Sequence, residues 1–269
     1  STGTPTKTEQ SDLNQALHGR SGEAPLPVIA AYSPTDCFTA AIEAARVAVE
    51  HMTPVILLSD ASLATGAEPW RVPDLSTLER IVPPVASVPD DGGPFQPFAR
   101  DERGVRSWAV PGTAGLQHRI GGLEKEDVTG HISYDGANHE LMSALRAKKV
   151  ARVGETVGPP ELYGDEQGEL LLISWGGTYG AVRDAVTGAR ERGLAVSHLH
   201  VRWLNPLDDG IAALAGGFDR VMVPELNHGQ FTGRLRSEHL VDAQSFTLMQ
   251  GRPFTNRELS RAIDEALNR

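Results

Sequence analysis

Between Leu170 and Leu267, short apolar runs alternate with stretches of helical periodicity, and this alternation leaves few folds open. Leu170–Ser174 (LLLIS), Val196–Val201, Asp219–Val223 and Gln244–Leu248 have the length and composition of strands. Tyr179–Arg192, Asp208–Leu214 and Gly229–His239 lie between them as helices, and Thr255–Leu267 closes the series. Glu258 stands three residues after Thr255, the spacing of a capping box. Strands that alternate with helices build an open parallel sheet covered on both faces. Residues 161–269 are therefore expected to be an α/β, doubly wound domain.

The first part of the chain, residues 1–71, is less complete. Pro27–Ala31 and Pro54–Leu58 (PVILL) are apolar enough for strands buried on both faces. Glu9–Leu17 and Thr35–His51 have helical spacing; the second is apolar at Phe38, Ile42, Ala45 and Val49, with Pro34 and Thr35 as its start signal. Two strands and two helices bury too little surface to offset the entropy of ordering them. The expectation is that upstream chain or a partner completes this sheet.

Residues 72–160 are irregular, with a proline-rich stretch from Val82 to Pro97 and a glycine-rich one from Pro111 to Gly130. Only Asn138–Val150 has a helical pattern. So long a stretch without regular structure is expected to be a linker that wraps between two lobes.

Composition removes several classes of function. The formal charge of −10 over 269 residues disfavours nucleic acid and anionic lipid as partners. No apolar run approaches the roughly 20 residues that span a bilayer, and Ser1 to Gln10 lacks a secretory core, so a cytoplasmic location is expected. Cys37 is the single cysteine, so an internal disulfide is ruled out, as is a cluster held by several thiolates of this chain. Beside Phe38 in a helical pattern, it is expected to be an inert core thiol.

Several segments carry residue types suited to chemistry. Ser1, Thr2, Thr4 and Thr6 surround a glycine and a proline just before a helical stretch, a composition shared by anion-binding loops and ordinary caps. Trp175-Gly176-Gly177-Thr178 sits at a strand-to-helix junction, where Thr178 could cap a helix or bind an anion. Pro224 to Gln230 (PELNHGQ) occupies the equivalent place later in the chain. His198 and His200 share one strand face, and His118, His131 and His139 fall in the middle segment, but none has the spacing of a helical zinc motif. No metal site is expected in this chain. The basic run Arg146 to Arg152, with Lys148 and Lys149, suits either a helix end or an acidic partner.

The opening run STGTPTKTEQSDL resembles the pyrimidine-binding signature of 2-oxoacid:ferredoxin oxidoreductase alpha subunits. The likeness continues through PTDCFTAAIEAARVAVEHMTPVILLSD, PGTAGLQHRIGGLEKEDVTGHISYDGANHELMSALRAKKVAR, LLISWGGTYGAVRDA and VPELNHGQFTGRLR, in the family's order. The GGLEKEDVTGHISYD form is similar to alpha subunits that act on 2-oxoglutarate. The resemblance implies a partial thiamine-type pyrimidine-binding domain followed by a transketolase C-terminal-like domain.

The activity so implied is CoA-dependent oxidative decarboxylation of 2-oxoglutarate to succinyl-CoA and CO2, with reduction of ferredoxin. Pyruvate or a branched-chain 2-oxoacid is the alternative substrate, and a non-catalytic scaffold subunit the alternative role. Thiamine diphosphate, Mg2+ and a [4Fe–4S] cluster are expected mainly on a beta subunit, with CoA as co-substrate. Ser1, Thr2 and Thr6 fall where the family places hydroxyls near the 2-oxoacid. Glu124, Asp127 and His131 are expected at the active-site mouth or an interface, and Glu225 and Asn227 at a CoA or subunit contact. The expected partners are the beta subunit, the upstream part of the alpha subunit, a second αβ unit and ferredoxin. The family's carboxylate-clamping arginine would precede Ser1, so the chain alone is expected to be inactive, and a cut just before Ser1, with both pieces staying associated, is one expectation.

Overall fold

The computed structural model describes residues 4–5 and 7–268. After a short helix α1 (Leu13–His18) come β1 (Val28–Ala30), α2 (Asp36–Glu50), β2 (Ile56–Leu58) and the small helix α3 (Ala61–Thr65). The expected helix over Glu9–Leu17 begins only at Leu13, because the backbone of Gln10 bonds instead to Leu226. At α2 the start signal is Ser33, not Thr35: Ser33 Oγ accepts from Asp36 N, whereas Thr35 makes no side-chain cap. Cys37 packs at the edge of the cluster formed by Ile29, Ala40, Val47 and Trp203.

The stretch from Gly66 to Asp135 runs over the surface, tied by isolated bridges such as Val85 to Trp108 and Phe98 to Val128. Most of the exposed large apolar side chains lie in it, from Trp70 to Tyr134. It leads into α4 (Gly136–Ala151), which Asp135 caps by accepting from Ala137 N.

The remainder comprises β3 (Glu161–Tyr163), β4 (Gly168–Trp175), α5 (Tyr179–Glu191), β5 (Val196–Val201), β6 (Trp203–Asn205), α6 (Gly210–Ala215), β7 (Phe218–Glu225), α7 (Gln230–Glu238), β8 (Ala243–Thr247) and α8 (Asn256–Leu267). The order in the larger sheet is β3-β5-β4-β7-β8. The four expected strands pair in parallel, and β3, which the sequence pattern did not disclose, joins the edge antiparallel to β5. The capping box at Thr255 and Glu258 is formed.

Successive residues of a strand face opposite sides. Along β4, Leu170 and Leu172 pack with Val182, Val186, Leu259 and Ile263 of α5 and α8. Leu171, Ile173 and Trp175 pack the other way, against Ile211, Phe231 and Leu235 of α6 and α7. Both faces are covered, which is why LLLIS has no polar alternation.

The sheet in the first part corrects an expectation. It has three strands in the order β2-β1-β6, with β1 parallel to β2 and antiparallel to β6. A third strand comes from this chain itself, as Trp203–Asn205, and Ile29 faces Trp203 in the register. Leu13, Leu17, Val28 and Ala30 belong to the same core cluster as Leu171 and Ile173, so the two sheets share one interior.

Candidate functional site

Ligands of parallel α/β sheets gather beyond the carboxyl ends of the strands. Here β1, β2, β4 and β7 end at Ala30, Leu58, Trp175 and Glu225, and the segment leading into α1 crosses among them. A cavity of about 50 Å³ lies at this junction, lined among others by Gln10, Leu13, Ala31, Asp60, Trp175 and Gly177.

Gln10 is the centre of the junction and is buried. Its Nε2 donates to Trp175 O at 2.7 Å, and its Oε1 accepts from Leu226 N at 2.9 Å. Its backbone N donates to Leu226 O at 3.1 Å, and its carbonyl accepts from Asn227 Nδ2 at 2.9 Å. Gln230 extends the grip: Nε2 donates to Ser11 O and Oε1 accepts from Asn14 N, each at 2.8 Å. The PELNHGQ run thereby holds residues 10–14 by backbone and side chain together.

Glu225 and Asn227 were expected to meet CoA or a subunit; both are 0% exposed. Glu225 accepts from Phe231 N, Thr232 N, Thr232 Oγ1 and Trp175 Nε1, at 2.8, 3.0, 2.9 and 3.3 Å. A carboxylate aimed at the free N–H groups of a helix start compensates for its own burial. Asn227 Oδ1 accepts from Gly229 N and Gln230 N at the same helix start. Both side chains are thus engaged within the chain.

On the opposite side Asp60 caps α3, accepting from Ser62 N and Leu63 N, and receives a 3.5 Å hydrogen bond from Thr8 Oγ1. It packs so close to Gly177 that a Cβ there would collide with Asp60 Oδ2. Gly176 takes a positive φ of 54°, which glycine adopts readily. Thr178 is buried and donates to Trp175 O at 2.8 Å, a turn-closing bond that leaves no hydroxyl for an anion.

Ser1, Thr2 and Thr6 lie outside the described residues. Glu124, Asp127 and His131 share a loop packed on the start of α4. Glu124 lies 2.6 Å from His139 Nδ1 and 3.4 Å from Arg146 Nη1. Burial pushes the Glu124 carboxyl upward, but the His139 hydrogen bond and the Arg146 charge outweigh it, so the net shift is downward. Asp127 pairs with Arg100, and its N–H donates to Asn138 Oδ1 at 3.0 Å. The His131 side chain is 80% exposed. Among the described residues, no hydrogen bond or ion pair joins this loop to Gln10, Asp60 or Glu225. The basic run is largely spent inside the chain: Lys149 Nζ donates to Met52 O at 2.9 Å, Arg152 to Glu102 O and Arg146 to Ser143 Oγ. Burial, with the charges of Arg106 and Arg100, brings Lys149 down to about 8.

A buried polar group not singled out beforehand is Ser174, whose Oγ lies 2.6 Å from His198 Nε2 and 2.9 Å from His200 Nδ1. The parallel register of β4 and β5 sets Leu172 beside His198 and Ser174 beside His200. Burial, and then the Arg183 charge, pushes His198 down to about 3; burial and the neighbouring His198, Arg202 and Arg183 hold His200 well below its usual value. Among the described residues, no group of three or more His, Cys, Asp or Glu side chains could hold a metal ion, and no helix is long and apolar enough to cross a membrane.

Residues 1–134 match the family model of the pyruvate flavodoxin/ferredoxin oxidoreductase thiamine diphosphate-binding domain. The chain is 48% identical to 2-oxoglutarate oxidoreductase subunit KorA of Mycobacterium tuberculosis, an alignment that spans 99% of this chain and 40% of that protein. The 2-oxoglutarate:ferredoxin oxidoreductase from Magnetococcus marinus, solved with 2-oxoglutarate, coenzyme A and succinyl-CoA bound, superposes with a TM-score of 0.93 at 31% identity, over 99% of this chain and 46% of that one. The chain belongs to the 2-oxoacid:ferredoxin oxidoreductase alpha-subunit family. It spans less than half the length of these two relatives. The 2-oxoglutarate synthase subunit KorA of Methanothermobacter thermautotrophicus is 29% identical over 86% of this chain.

The strand-end junction by itself is too small to hold thiamine diphosphate. Ligand clefts of that kind enclose roughly 300–1,000 Å³, and the junction encloses about 50 Å³ with Gln10 and Asp60 already engaged.

Proposed function

We propose that this chain serves as alpha-subunit portion of a 2-oxoglutarate:ferredoxin oxidoreductase. The reaction joins 2-oxoglutarate to CoA, releasing succinyl-CoA, CO2, one proton and two electrons, which reduce ferredoxin. Identity to a 2-oxoglutarate oxidoreductase subunit over nearly the whole chain carries the reading. The close backbone agreement with an enzyme solved with 2-oxoglutarate and succinyl-CoA supports it.

In this reading the active site is divided. Ser1, Thr2 and Thr6 are the substrate-binding residues, since a hydroxyl can donate a charge-assisted bond to an anionic 2-oxoacid. Gln10 and Asp60 hold the neighbouring backbone. Glu124, Asp127 and His131 form a rim, with Glu124 kept ionised by His139 and Arg146. The thiamine diphosphate, Mg2+ and [4Fe–4S] sites fall mainly to the beta subunit; for the cluster the single cysteine, Cys37, supports this, since such clusters take four thiolates. The working unit pairs this chain with the beta subunit, the rest of the alpha subunit and a second αβ unit, in the cytoplasm where ferredoxin is available.

The test is a panel of 2-oxoacids with the assembled complex, CoA and methyl viologen as electron acceptor. The expected result is reduction with 2-oxoglutarate at a kcat/KM at least about tenfold above pyruvate or branched-chain acids, a margin of about 1.4 kcal/mol. Equal or better turnover of pyruvate would replace the substrate assignment, and no turnover with any 2-oxoacid would leave a scaffold role.

A further inference from the structure

We propose that Ser174 binds His198 and His200 into one two-state unit, in which both imidazoles carry their proton on the same nitrogen and change tautomer together. The inference is independent of the reaction proposed above.

Ser174, His198 and His200 lie on the face of β4 and β5 that Leu170, Leu172 and Val196 turn toward α5 and α8. All three are buried. Ser174 Oγ lies 2.6 Å from His198 Nε2 and 2.9 Å from His200 Nδ1. The outer nitrogens, His198 Nδ1 and His200 Nε2, are buried too and have no hydrogen-bond partner among the described residues. Burial keeps both rings neutral at neutral pH, so each carries a single ring proton, on one nitrogen or the other.

A serine hydroxyl has one proton to give. If it donates to His198 Nε2, that ring holds its own proton on Nδ1, and His200 donates to the serine from Nδ1. If it donates to His200 Nδ1, that ring holds its proton on Nε2, and His198 donates from Nε2. In either state the rings share a tautomer, and one outer donor and one outer acceptor stay unpaired. Opposite tautomers do worse. With both inner nitrogens protonated, the hydroxyl proton and both outer nitrogens go unpaired. With both inner nitrogens bare, the hydroxyl serves only one of them, and the other joins two outer N–H groups without partners. One further unpaired buried group makes such states about fivefold or more rarer.

Exchange between the two shared states passes the serine proton to one ring and takes an inner proton from the other. On local opening, one outer nitrogen takes up a proton from water and the other returns one, so the charge of the site is unchanged. The unit joins two surroundings. His200 borders a cavity of about 460 Å³ beside α2, together with Arg202 and Glu161, and its ring lies 5.1 Å from that of Tyr32. His198 lies 5.7 Å from the ring of Tyr179 at the start of α5. A donor or acceptor brought to one outer nitrogen therefore selects the state of the other, and the coupling is reciprocal.

Neutron diffraction from the assembled complex at neutral pD locates the ring deuterons. The expected result is deuterium on Nδ1 of both rings or on Nε2 of both, with the Ser174 hydroxyl turned toward the bare inner nitrogen. Opposite tautomers, or an imidazolium in either ring, overturn the proposal. Tyr32→Phe changes a neighbour of His200. In that variant, 15N NMR of the histidine-labelled complex, assigned with His198→Gln and His200→Gln, should give the two rings equal tautomer fractions. A change at His200 that His198 does not follow overturns the coupling. With Ser174→Ala added to Tyr32→Phe, the fractions should differ. A match that survives loss of the hydroxyl assigns each tautomer to its own surroundings and overturns the coupling as well.

Discussion

Nη2 of Arg202 lies 2.8 Å from Oδ1 of Asp36 and ties the junction between β5 and β6 to the first turn of α2. Glu43 takes the other arm of the guanidinium at 2.8 Å, and Asp36 also accepts from Tyr32 N and Thr39 Oγ1. Asp36 is nearly enclosed, so its oxygens rely on these partners for their hydrogen bonds. Arg202→Met is expected to lower stability by about 2–3 kcal/mol, because an unpaired buried carboxylate costs more than the pair contributes. Urea unfolding of the variant and of Arg202→Met/Asp36→Asn should show partial recovery in the double change.

Glu225→Gln tests the buried carboxylate at the start of α7. An amide keeps one oxygen but turns an NH2 toward groups that are themselves donors, either Phe231 N and Trp175 Nε1 or Thr232 N and Thr232 Oγ1. A loss of about 2–3 kcal/mol is expected, the range for hydrogen bonds to a charged group. Calorimetry would read it as a lower melting temperature; an unchanged transition would contradict the role given to this residue.

The histidine pair on β5 sets an acid limit on stability. Both are depressed in the fold, His198 to about 3, while an unfolded histidine titrates near 6.5. Below about pH 6.5 the unfolded chain takes up protons that the folded chain refuses, so stability is lost as pH falls through that value toward 3. The slope should approach about 1.4 kcal/mol per pH unit for each histidine. Unfolding free energies between pH 7 and 5 would show it, and His198→Gln should flatten the dependence.

Gly177→Ala probes the contact between the two strand ends. Its Cβ would run into the Asp60 carboxylate, which cannot withdraw without leaving Ser62 N and Leu63 N. The expected cost is about 1–3 kcal/mol, as for overpacking elsewhere. Gly180→Ala, where a Cβ meets open space, is the control and should be near neutral or slightly stabilising.

The doubly wound sheet was legible because its strands and helices carry the periodicities that burial imposes, as in Leu170–Ser174 and Thr255–Leu267. Trp203–Asn205 was not, since a three-residue strand ending at Pro206 carries no period to detect, and its partner Ile29 lies far off in sequence. Glu161–Tyr163 was missed for the same reason of length. The importance of PELNHGQ could be suspected, but not its direction: only packing reveals that Glu225 and Asn227 face inward. Gln10 gave no signal of its own, because a glutamine that replaces a strand partner looks like any polar residue ahead of a helix. The Ser174 and histidine grouping could have been found by noting that alternate positions on adjacent strands become neighbours.

The placement of β6 beside β1 also bears on biosynthesis. Ribosomes add about 5–20 residues per second, so Trp203 emerges about 10–35 s after Ile29. Throughout that delay one flank of Val28–Ala30 stays unmated, a bare peptide edge of the sort that invites self-association. Nascent chains of this protein would consequently need shielding until Trp203–Asn205 has been made.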